Sequence, residues 1–272
     1  MSSSQSLQNT TVLVTGAAGG LGKAIASAYL DAGANVAICD IHDARLAETR
    51  SQFEETGRFL ALKTDITSEE AVEKLVADCV SRFGRLDILV NNAGMMDSFD
   101  PVGDLSQANW DKVLGVNLTG SFLCMKHAVR AFQAQQPKSS SASSGTDSLR
   151  GLIIQIGSNA SIMGTQSGAA YTVSKHGVAA LVKNTAGFYG DQGIYAVALM
   201  LGVLQTNIND GIAALGGFNQ GIYALSGLPA RPPEAVTDTA DVARYCVFLA
   251  DPRIAAGVNG SSIVFNKNWP RQ

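Results

Sequence analysis

Charge is scarce in this chain. Asp, Glu, Lys and Arg make up 16% of its 272 residues, and the formal net charge is only −3. No electrostatic argument therefore favours nucleic-acid phosphates or an anionic membrane surface, and neither partner is expected. Cysteine is sparse too. Cys39, Cys79, Cys124 and Cys246 stand far apart with no C-x-x-C pair, which argues against a disulfide framework or a thiolate zinc site and fits a reducing compartment. His42, His127 and His176 show no ligand spacing, so no metal is expected. No apolar run reaches the ~20 residues of a spanning helix. The opening Met-Ser-Ser-Ser-Gln-Ser has neither the basic nor the apolar region of a secretory signal. A cytoplasmic protein is expected.

What is present suits one large core, since hydrophobic residues account for 46% of the chain. Short apolar runs alternate with amphipathic stretches, the pattern of a parallel sheet covered by helices on both faces. Strands are expected at Thr11–Thr15, Asn35–Cys39, Phe59–Lys63, Leu86–Val90, Gly151–Ile156, Tyr195–Met200 and Ser262–Phe265. Helices are expected at Leu21–Ala32, from the capping-box spacing Thr67-Ser-Glu-Glu70 to Gly84, and over Ser106–Phe132, Tyr171–Tyr189 and Asp238–Leu249. No repeat or linker divides this, so residues 11–272 read as a single α/β domain of about seven strands after a flexible stretch over 1–10. The one low-complexity segment, a Ser-rich insertion near 137–148, is expected to be a flexible excursion on the face away from the site.

The run Thr15-Gly-Ala-Ala-Gly-Gly-Leu-Gly22 falls between a strand and an apolar-periodic helix. Glycine there lets backbone approach a pyrophosphate, and the N–H groups and dipole of the helix start favour an anion. Asp40, about twenty residues on, ends the second strand. A carboxylate at that place accepts hydrogen bonds from both adenosine-ribose hydroxyls and repels a 2′-phosphate. Ala17, Ala18 and Ile41 fill the neighbouring positions, so no cation is expected to offset it, and the choice is NAD. Farther along, Tyr171 and Lys175 stand one helical turn apart, with Ser158 thirteen residues before the tyrosine. Tyrosine is a poor base at its ordinary pKa of ~10, and a cation held beside it stabilises the phenolate. Ser158 follows a strand and is placed to bond a substrate oxygen.

In this order and at these distances, the glycine run, Ser158 and Tyr171-Thr-Val-Ser-Lys175 resemble the short-chain dehydrogenase/reductase family over roughly residues 10–265. The resemblance implies a Rossmann-type doubly wound sheet, with Asn117, Ser158, Tyr171 and Lys175 as the catalytic set. It implies cofactor contacts from Gly16, Gly20, Leu21, Gly22, Asp40, Ile41, Asp65, Ile66, Asn92, Ala93, Gly94, Leu204 and Thr206, besides Tyr171 and Lys175. Asn117 would kink its helix and hold a proton-relay water. The family places a substrate lid over 207–229, here rich in Gly, Ala, Ile and Leu with Asp210 as its one charged residue, which points to an apolar substrate. The family also implies a homodimer or homotetramer built on the two long helices.

Two departures stand out. Leu201-Gly202 replaces the family's Pro-Gly, so the following loop is expected to be looser or shifted, and the usual Asp-Gly-Gly after the last strand is absent. The reading is an NAD-dependent oxidoreductase for a secondary alcohol or ketone in specialised or lipid-related metabolism. The alternatives are a carbonyl reductase, a low-turnover NAD-binding scaffold, and a non-redox enzyme on the same fold.

Overall fold

Seven parallel strands form one sheet in the computed structural model, which describes residues 6–138, 149–225 and 232–270. In chain order they are β1 (Thr11–Thr15), β2 (Asn35–Asp40), β3 (Phe59–Lys63), β4 (Ile88–Asn91), β5 (Gly151–Ile156), β6 (Ile194–Leu201) and β7 (Ser262–Phe265). Their order across the sheet is β3-β2-β1-β4-β5-β6-β7. Winding therefore reverses between β1 and β4, and a doubly wound sheet binds ligands outside the carboxyl ends of its strands at such a reversal. Helices α1 (Gly20–Asp31), α2 (Asp43–Phe53), α3 (Glu69–Phe83), α4 (Gln107–Leu114), α5 (Ser121–Ala134) and α6 (Ala169–Tyr189) make the connections, followed by the shorter α7 (Gln220–Leu225), α8 (Thr239–Leu249) and α9 (Pro252–Gly257).

Both faces of the sheet are covered, which is why its strands read as unbroken apolar runs. Successive side chains point to opposite faces. Val12 and Val14 join a layer with Ile25, Tyr29 and Leu249, whereas Leu13 joins one with Leu75, Phe132 and Val182. Among the described residues, no helix is long and apolar enough to cross a membrane.

Several expectations need correction. The helix expected over Ser106–Phe132 is α4 and α5 joined by a π-helical turn at Gly115–Gly120, which contains Asn117, the residue expected to kink it. Ser68, not Thr67, caps α3, its hydroxyl accepting from the Ala71 N–H, because Thr67 is committed to the Asp65 carboxylate. Residues 1–5 lie outside the described ones; of the rest, Leu7 is buried and donates its N–H to the Ala32 carbonyl at 2.8 Å, so residues 6–10 are anchored rather than loose. Most of the Ser-rich insertion, 139–148, lies outside the described residues. Its flanks pair at Lys138 and Leu149, just before β5, where the Lys138 ammonium meets Asp87 at 3.0 Å and the Asn9 carbonyl at 2.8 Å. Both flanks thus sit at the amino ends of the strands.

Candidate active site

A cavity of about 1080 Å³ opens along the carboxyl ends of β1, β2, β4, β5 and β6. At its centre the chain leaves β1 through the glycine run. Gly16 has φ +62°, and a Cβ there would lie 2.7 Å from the Ala93 Cα, so only glycine fits against the β4 exit. The helix that follows starts bare: Gly19 offers no capping side chain, and the first turn of α1 carries no acid. Its free N–H groups and positive dipole end face the cavity through Gly20 and Leu21, which suits a phosphate. Asn92 holds this loop from behind, its Nδ2 donating to the Thr15 and Gly16 carbonyls at 2.9 and 3.0 Å. That amide secures the loop more than it reaches for a ligand.

At one end of the cavity lie Asp40, Ile41, Asp65 and Ile66. Asp40 accepts from the Ala18 and His42 N–H groups, both at 3.1 Å, which fixes its carboxylate at the cavity wall. The expectation that no cation stands nearby fails. Arg45 lines the same cavity, but its guanidinium is engaged by Asp210 at 2.5 Å, across from α2 to the segment after β6. This pair and Asn207 lie over the glycine loop, and a Cβ on Gly20 would come within 3.3 Å of the Thr206 Cβ. The segment after β6 therefore closes the cleft from above.

At the other end, Tyr171 and Lys175 project from the first turns of α6. The Lys175 Nζ lies 5.4 Å from the centre of the Tyr171 ring and donates to the Ile156 carbonyl at 3.1 Å. Ser158 is pinned by a capping box, its Oγ accepting from the Ala160 N–H and its own N–H bonding the Ser161 hydroxyl, which turns the Ser158 hydroxyl toward the Tyr171 phenol. Burial dominates both titratable groups. It pushes the Tyr171 phenol up to about 12, with hydrogen bonding to Ser158 pulling down and the Asp97 charge pushing further up. It draws the Lys175 ammonium down to about 8. Tyr171 sits in a small apolar cluster with Val113, Ala160 and Leu215, flanked by Met95, Met96 and Ile208.

Gly22, Ala93, Gly94, Leu204 and Thr206 also line the cavity. Asn117 does not. Buried in the π-helical turn, its amide exchanges hydrogen bonds with the Met95 backbone at 2.8 and 2.9 Å and donates to the Ser174 hydroxyl at 3.1 Å. Its place is behind the wall, tying the β4 exit to α6. Leu201 does not loosen the chain: it is buried, in register with Phe265, and the next N–H, of Gly202, donates to the Phe265 carbonyl at 3.1 Å. Met95, Met96, Gln166 and Arg45 were not singled out in the sequence, because no spacing marks a wall residue drawn from distant loops.

This geometry has a counterpart among known proteins. The family model for short chain dehydrogenases matches residues 10–214. The chain belongs to the short-chain dehydrogenase family. It is 40% identical over 277 residues to the short chain dehydrogenase/reductase dpfgG of Gibberella zeae, covering 97% of this chain and 95% of that protein. To a 3beta-hydroxysteroid dehydrogenase of Eggerthella lenta it is 32% identical over 267 residues, with the same coverage of 97% and 95%. The crystal structure of levodione reductase superposes with a TM-score of 0.80 at 26% identity, covering 96% of this chain and 97% of that one. As a short-chain dehydrogenase, the protein is an oxidoreductase of alcohols and ketones that takes a nicotinamide cofactor.

Proposed function

We propose that the protein is an NAD-linked dehydrogenase for a secondary alcohol, or the corresponding ketone, on an apolar molecule. The observation that carries this reading is the single cavity holding Asp40 at one end and Ser158, Tyr171 and Lys175 at the other. Asp40 would take the adenosine ribose, Gly20, Leu21 and Gly22 the pyrophosphate, and Lys175 the nicotinamide ribose. Gly94, Leu204 and Thr206 would flank the nicotinamide. Bound NAD supplies the hydride acceptor and a positive charge beside the phenol.

The protein's own residues then handle the proton. Ser158 donates its O–H to the substrate oxygen. Tyr171, as phenolate, takes the hydroxyl proton, and the Lys175 ammonium stabilises that anion through space. Asn117 keeps the β4 exit and α6 in register. Met95, Met96, Ile208 and Ala214 give the substrate end an apolar wall, and the likeness to a hydroxysteroid dehydrogenase supports a lipid-like or specialised metabolite as substrate.

The same residues can run the reaction in either direction, Tyr171 taking the proton of an alcohol or giving one to a nascent alkoxide. Incubating the protein with NAD and a panel of secondary alcohols, and with NADH and the matching ketones, tests both directions by nicotinamide absorbance. Nucleotide binding without turnover across an apolar panel would favour the scaffold reading.

A further inference from the structure

Asp97 is a fully buried carboxylate outside the catalytic set, and its partners are neutral donors. Its Oδ1 accepts from the Ser167 hydroxyl at 2.8 Å and from the Gly168 and Phe99 N–H groups, both at 3.1 Å. Its Oδ2 accepts from the Tyr171 N–H at 2.9 Å. A buried charge persists only when its lone pairs are met, and here the open N–H groups of a 21-residue helix meet them, with the helix dipole adding to the attraction. The packing admits nothing larger, since a Cβ on Gly168 would lie 2.6 Å from the Asp97 Oδ2.

The short segment that carries Asp97 is also the seat of the covering segment. The Ser98 carbonyl accepts from the Asn219 N–H at 2.8 Å, and the Asp100 carboxylate from the Asn219 side chain at 3.0 Å. Phe99, at φ +69°, sets its ring 5.5 Å from Phe218 and 5.2 Å from Tyr223. Nearer the cavity, the Met96 N–H donates to the Ile208 carbonyl at 3.3 Å. On the opposite side, the Asp100 carbonyl accepts from the Ala169 N–H at 2.9 Å. Residues 96–100 are thus a seam, with the substrate-covering chain on one flank and the first turn of α6 on the other.

We propose that Asp97 is a positioning residue that locks Tyr171 to this seam, so that seating of the 207–225 segment fixes the phenol for proton transfer. The proposal rests on the reading of Tyr171 as the proton-transferring group. Asp97→Asn turns one acceptor into a donor facing an N–H, whichever way the amide lies. Asn219→Ala loosens the covering segment without altering any group that bonds Asp97.

The test pairs hydrogen exchange with kinetics on the full-length chain. Amides of the first turn of α6 should exchange about tenfold faster in both variants than in the wild type. With the best alcohol of the panel, Asp97→Asn should lower kcat tenfold or more, as misplacement of a reacting group does, while the KM for NAD stays within about twofold. The rising, acidic limb of its kcat profile should also move to lower pH, because the negative charge that opposes ionisation of Tyr171 is gone while Lys175 remains; Asn219→Ala should leave that limb in place. Unchanged exchange in α6, or loss of kcat and NADH affinity together in both variants, would overturn the proposal. Tyr171→Phe separates the two claims, because it keeps all Asp97 bonds. If it retains turnover, the reading of Tyr171 fails whatever the exchange data show.

Discussion

Asp40 and Arg45 line the same cavity with opposite sign, and the Arg45 guanidinium is paired with Asp210. A 2′-phosphate beside Asp40 would meet repulsion, while the guanidinium able to offset it is paired with Asp210. NADH should therefore bind at least ~100-fold more tightly than NADPH, a difference of about 3 kcal/mol. Asp210→Asn should release Arg45 and narrow that ratio severalfold, and Asp40→Ser with Ile41→Arg should move the preference toward NADPH. Fluorescence titration of the two nucleotides measures all three, and equal affinities for the wild type would contradict the account. Asp40 was legible in the sequence because it ends a strand at a fixed distance from a glycine loop. The Arg45–Asp210 pair was not, since its partners are 165 positions apart and nothing local in either stretch reports the other.

Elements were legible wherever hydrophobic period and punctuation agreed. Gly84, at φ +83°, ends α3 where the sequence places the stop, and all seven strands lie within a few residues of their apolar runs. Period alone did not mark the π-helical turn between α4 and α5, because six residues are too few to show a change of period; the irregularity was legible only through Asn117. Likewise α9, six residues long, is too short to show a period. The flanks of the insertion, Lys138 and Leu149, pair at the amino ends of the strands, opposite the cavity. Replacing 139–148 by a short Gly/Ser link should change the melting temperature by no more than a few degrees and kcat/KM by no more than about twofold. A large loss of either would show that the segment packs on the domain or on a neighbouring copy.

For the whole molecule, the site carries a cost in stability. Lys175 titrates near 10.5 in an unfolded chain and at about 8 when folded, so between these values the unfolded state binds the extra proton and stability rises with pH. Below pH 8 both states are protonated and the full penalty remains, roughly 3 kcal/mol at about 1.4 kcal/mol per pH unit. Lys175→Met should therefore raise the melting temperature at neutral pH while abolishing turnover; a lower melting temperature would show that the ammonium stabilises the fold.

At the same scale, we propose self-association through the long helices. Phe122 on α5 and Val173 and Phe188 on α6 are 43%, 43% and 73% exposed, more apolar surface than these helices need to cover the sheet. Sedimentation should find a dimer or tetramer, and a stable species of 28.3 kDa at micromolar concentration would refute assembly.

The central claim is that Tyr171 moves the proton in a nicotinamide-linked redox step. Its most direct measurement compares wild type and Tyr171→Phe for NADH formation on the same secondary alcohol, with NADH affinity determined alongside. The account predicts that turnover falls below a few per cent while affinity stays within about twofold, because only the phenolic oxygen is lost. Turnover retained at more than a few per cent of wild-type kcat would contradict it.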